Sequence, residues 1–112
     1  MAEKTFIVDG TVVHANSRGG GGMHGGAVVY TVDENGGYEY KVIVTTDGTN
    51  YTKWKIDDDR TRHPTYDSFS EAMEAAGRMV AGRARHRQRQ INDMRAANAE
   101  IEAFFNLSLI HI

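Results

Sequence analysis

Residues 68–105 read SFSEAMEAAGRMVAGRARHRQRQINDMRAANAEIEAFF, the one segment long enough to form a major helix. Its start is marked by Ser68-Phe69-Ser70-Glu71, an S-x-x-E capping box in which a hydroxyl and a carboxylate satisfy the free amides of a first helical turn. Phe69, Ala72, Met73, Ala76 and Val80 then recur at three- and four-residue steps and share one face. This half is crowded with small residues, among them Gly77 and Gly82, each of which costs about 1 kcal/mol relative to alanine in a helix interior. Close backbone packing against a sheet or a second helix is the expected compensation, with a bend near Gly82 as the alternative.

From Val80 the rhythm becomes a heptad. Val80, Ala84, Arg87, Ile91, Met94, Asn98, Ile101 and Phe105 follow at alternating steps of four and three. Asn98 occupies an a-type position, where one buried Asn fixes register and oligomeric state. Arg87 lies on the same seam, so it either snorkels outward or meets an acid or a ligand. This segment predicts a homo-oligomer with a coiled-coil-like distal half, against the plainer reading of an amphipathic helix on its own sheet.

The N-terminal half reads as strands. Thr5–Val8, the pair Asp9-Gly10 and Thr11–Ala15 form a hairpin, because Gly tolerates the positive φ that a two-residue turn demands. A loop is expected from Asn16 to Gly26, which includes four consecutive glycines, Gly19 to Gly22. Ala27–Asp33, Tyr38–Thr45 and Tyr51–Ile56 give three more strands, with turns at Glu34-Asn35-Gly36-Gly37 and Asp47-Gly48. Simple alternation puts Tyr38, Tyr40, Val42 and Val44 on one face of the fourth strand, and Trp54 and Ile56 on one face of the fifth. The fold expected is α+β: an antiparallel meander of about five strands, then one long C-terminal helix. It forms a single domain over 1–106, with sheet 4–56, connection 57–67 and helix 68–105. Residues 107–112 break the heptad, lack a cap and are set aside as a non-native tail.

With 112 residues and 40 % hydrophobic content, one core is expected. No cysteine is present, which excludes disulfides, thiolate zinc sites and a cysteine nucleophile. A net charge of −2 gives no overall attraction to DNA or anionic lipid. The first residues lead into a strand pattern and no apolar run is long enough to span a membrane, so a cytoplasmic location is expected.

The charge is unevenly placed: residues 1–70 hold seven Lys/Arg against ten acids, whereas five arginines and only Asp93 lie between Arg83 and Arg95. Guanidinium groups grip phosphate in a planar, two-pronged geometry. The run Arg83, Arg85, Arg87 and Arg89 is therefore the leading candidate for anion binding, with Trp54, Tyr51 and His24 as sheet and loop partners. Tyr30, Tyr38 and Tyr40 are further aromatics that suit base stacking. The competing reading is arginines on a solvated face and aromatics in the core. The glycine loop lacks the G-K-[ST] of a Walker loop and leads into a strand, not a helix. His14, His24, His63 and His86 show no metal-ligand spacing, and Asp33-Glu34-Asn35-Gly36 lacks the remaining ligands of a calcium loop. Asp57-Asp58-Asp59 is read as a solvated acidic turn rather than a magnesium site. No catalytic arrangement is recognisable.

These features together predict a non-enzymatic oligomer without cofactor or membrane attachment, holding a phosphate-bearing ligand of the nucleotide type. In size and in lacking catalytic motifs the chain resembles, by architecture, phage sponge proteins that sequester an immune signalling nucleotide. The alternatives are a nucleic-acid-binding accessory protein, since a three-stranded sheet followed by a helix also resembles the arm-binding domains of phage integrases, and a purely structural protein that oligomerises through its helix.

Overall fold

A computed structural model describes residues 3–18, 25–47, 52–58 and 64–110. Five strands, β1 (Glu3–Val8), β2 (Thr11–Arg18), β3 (Gly26–Val32), β4 (Tyr38–Thr46) and β5 (Trp54–Asp57), precede one helix, α1 (Phe69–Ile110). The sheet is an antiparallel meander in the order β1-β2-β3-β4-β5. The α+β architecture expected from the pattern is the one observed.

The turns form for the reasons their residues suggest. Asp9 and Gly10 both carry positive φ, 48° and 82°, as a hairpin turn that matches strand twist requires. At the β3–β4 connection the Asp33 carboxylate accepts the amides of Asn35 at 2.8 Å and Gly37 at 3.0 Å, so this acid is spent on the turn. β2 extends three residues into the segment expected, from its glycines, to be a loop. Asn16, Ser17 and Arg18 stay in β2, because their partners Val28, Ala27 and Gly26 continue the ladder.

One face of the sheet carries Phe6, Val8, Val13, Ala15, Val29, Val42, Val44 and Ile56, and α1 lies across it with Ala72, Ala76, Val80 and Ala81 fully buried. The small residues let the helix approach closely. A Cβ at Gly77 would meet the Phe6 ring at 2.9 Å, which accounts for a glycine inside a helix. A Cβ at Gly82 would meet nothing within 4 Å, so close packing does not account for this glycine, and α1 runs on through it as one helix. The hydroxyl half of the expected capping box is present: the Ser68 hydroxyl accepts the Glu71 amide at 3.1 Å. Trp54 and Tyr66 exchange backbone hydrogen bonds at 2.9 and 2.8 Å, anchoring the connection to β5, and Trp54 meets Phe69 edge-on.

Tyr38 departs from simple alternation. The register slips between Thr31 and Val32, so Val32 pairs with Tyr38 while Thr31 pairs with Tyr40. This bulge turns Tyr38 to the face away from the helix, where its ring meets Tyr30 edge-on at 4.7 Å. Lys41 sits over Tyr38, and Tyr30 stacks on His14.

Only the first half of α1 is covered. Every described residue from Asn92 to Leu107 is exposed, including Met94, Ile101, Phe104 and Phe105. The molecule is accordingly 72 Å long and only 27 by 21 Å across. Among the described residues no helix is long and apolar enough to cross a membrane.

Candidate functional site

The arginines are carried by α1 as it leaves the sheet, and successive positions about 100° apart send them to different neighbours. Arg83 turns toward the β5 side and pairs with Asp58, whose side chain is only 5 % exposed. Asp58 is therefore a buried ion-pair partner, contrary to the solvated turn expected of 57–59; Asp59 lies outside the described residues. Arg85 turns the other way, donating to the Val8 carbonyl oxygen at 3.3 Å and approaching the Asp9 carboxylate at 3.6 Å. Arg87 and Arg89 are exposed and have no ion pair among the described residues.

Arg87 lines a groove of about 350 Å³ where the strand ends meet the departing helix. Gly10, Thr11 and Val12 form one side, Thr31, Val32 and Glu39 the floor, and Ala84, Arg85, Gln88 and Ile91 complete the helix wall. Thr31 is 3 % exposed and its hydroxyl has no hydrogen-bond partner among the described residues. An unsatisfied buried hydroxyl costs about 1–3 kcal/mol, and because this oxygen is sealed from solvent a ligand atom becomes its partner only if the groove wall shifts. Thr46, the other such hydroxyl among the described residues, lies at the opposite end of β4. The groove thus combines two guanidinium groups, a primary amide and two threonine hydroxyls with one facing carboxylate, Glu39.

A second cavity, about 510 Å³, lies along β4 between Glu39, Tyr40, Lys41, Ile43, Asp57, Asp58 and Arg83. Its arginine is already neutralised by Asp58, so it offers an anion much less.

The other candidates fall elsewhere. Trp54 packs at Phe69, fourteen positions before Arg83 and about 21 Å away along the axis. Tyr51 and His24 lie outside the described residues. Ala84 and Ile91 help to line the groove and Val80 is in the core, whereas Met94, Asn98, Ile101 and Phe105 lie on the uncovered half of α1. Thr11, Thr31 and Glu39 were not legible as site residues: each is an ordinary strand residue until the helix crosses above it. Among the described residues no group of His, Cys, Asp or Glu is arranged to hold a metal ion. Compared with protein-family models, curated proteins and solved structures, the chain matches none.

Proposed function

We propose that the protein is a non-catalytic, self-associating binder of a phosphate-bearing small molecule of the nucleotide type, which it sequesters rather than converts. The observation that carries this reading is Arg87, without an acid partner among the described residues, beside the buried and unpartnered Thr31 hydroxyl. Arg87 supplies the two-pronged grip on phosphate. Gln88 and the Thr11 and Thr31 hydroxyls complete its hydrogen bonding, and Glu39 accepts from a sugar hydroxyl. Arg89 adds positive charge outside the groove, and Arg85 adds it from one side. Self-association is supported by the apolar heptad positions left bare on distal α1.

Arg87→Ala is expected to abolish stabilisation by nucleotides while leaving the unliganded melting temperature unchanged, since the exposed Arg87 makes no ion pair. A ligand at a hundredfold excess over its Kd adds about 2.7 kcal/mol to the native state, well within reach of a thermal-shift titration. An unchanged shift in the variant would overturn the site.

A second reading, nucleic-acid binding, is favoured by the open face of the sheet, where His14, Tyr30, Tyr38 and Lys41 form an aromatic and basic cluster. It requires single-strand affinity that falls steeply between 50 and 200 mM salt as counterions are released, in the regime of roughly tenfold or more. Salt-independent retention would dismiss it.

A further inference from the structure

Beyond Ile91 three charges, Arg95, Glu100 and Glu102, have no opposite charge three or four residues away; Glu100 lies at a c position, outside the seam, and the other two flank it. Arg95 has Ile91, Asn92, Asn98 and Ala99 at its three- and four-residue neighbours, and Glu102 has Asn98, Ala99, Phe105 and Asn106. Neither makes an ion pair among the described residues. With Asn98 at an a position, both Arg95 and Glu102 fall at e, while the g positions hold Gln90, Ala97 and Phe104. In a parallel pair of helices e faces g of the partner, and neither charge finds an opposite. In an antiparallel pair e faces e, and Arg95 of each copy meets Glu102 of the other, twice by symmetry.

That register has a consequence for the groove. Aligning Arg95 with the partner's Glu102 brings the partner's Phe105 level with Asn92, between Ile91 and Met94. Ile91 is a lining residue of the strand-end groove, and Met94 and Phe105 are among the most exposed apolar side chains of the described residues, 60 % and 61 %. The groove is walled by strand ends and by α1 but open toward the free stretch of the helix. The partner's aromatic end closes that side.

We infer that the occupant of the bare distal helix is a second copy of this chain, paired antiparallel about Asn98, and that each strand-end groove is completed by the partner's Phe105. This rests on the self-association proposed above. An antiparallel pair covers both ends of the stripe and neutralises both stranded charges, whereas a parallel pair leaves the charges facing amide, alanine and phenylalanine. Each dimer then holds two composite sites, one at each end of the helix pair.

The absence of cysteine allows one label per chain. In His86→Cys carrying a nitroxide, the antiparallel register separates the two labels by twenty-five helical positions, or about 37 Å along the axis. A parallel pair sets the two labels side by side, within about 20 Å. The expected result is a dimer by sedimentation with the long distance by pulsed electron resonance. Arg95→Glu should weaken the dimer about tenfold, and Arg95→Glu with Glu102→Arg should restore it. A dimer with the short distance, or one whose affinity the swap does not restore, overturns the antiparallel pairing and leaves self-association standing. A monomer at high concentration overturns both. Nucleotide affinity that Phe105→Ala leaves intact in an antiparallel dimer removes the composite site alone.

Discussion

Replacing Arg83 with alanine is expected to lower folding stability by about 3 kcal/mol, a large share of the roughly 5–15 kcal/mol that holds a domain together. The Asp58 side chain is 5 % exposed and its partner, at 25 %, is also largely withdrawn from water. Deleting the guanidinium leaves a carboxylate that neither solvent nor that neighbour neutralises, and the desolvation it has already suffered is no longer repaid by attraction. Asp58 retains some further interaction, which keeps the expected loss at the lower end of the range for buried pairs. Removing both charges together, as Arg83→Met with Asp58→Leu, should recover most of the loss, because an apolar pair of similar volume has no stranded ion. Urea denaturation of the two variants measures this directly. A single variant as stable as the parent would show that the pair contributes nothing. The pair also sets Arg83 apart from Arg87: the first ties α1 to the end of β5, and only the second is free for a ligand.

Gly26→Ala should be at least as damaging, at about 3 kcal/mol or more, for a steric reason. A Cβ at this position overlaps the carbonyl oxygen of Val44 and comes within 3.1 Å of the Thr45 Cα. Those atoms belong to the backbone of β4, paired on its other side with β5, so they cannot swing aside as a side-chain terminus does. Gly25→Ala is the control, since a Cβ there meets nothing within 4 Å and should change stability by less than about 0.5 kcal/mol. Equal midpoints for the two variants in thermal or urea unfolding would contradict the close approach. The same comparison tests the β3–β4 register on which the floor of the groove depends.

Much of this architecture was readable from local chemistry. Asp9-Gly10 demanded a tight hairpin, Ser68 and Glu71 marked the helix start, and alternation in β4 separated Val42 and Val44 from Lys41 and Ile43. What local chemistry could not supply was pairing across distance. Asp58 reads as one of three surface acids until Arg83, twenty-five positions later, is brought beside it. The slip at Val32 and Tyr38 is set by how β3 and β4 match, and it moved one tyrosine to the opposite face against the two-residue period. Thr31 is the clearest case. Nothing in its neighbours distinguishes it from Thr5 or Thr45, and its unanswered hydroxyl exists only because α1 shields it from water. The arginine run was visible in the sequence, but its division into engaged and unengaged members required the strands on either side.

The contrast between the two halves of α1 has a mechanical outcome. Ala72, Ala76, Val80 and Ala81 clamp one half to the sheet, and the remainder extends as an unbroken rod. From Gly82 to Phe105 the arm is about 35 Å, so a tilt of about 5° at the clamp sweeps the far tip through about 3 Å. Were the clamp to tilt, the helix would act as a lever with its fulcrum among alanines, and a small shift near Arg87 would be magnified at the tip.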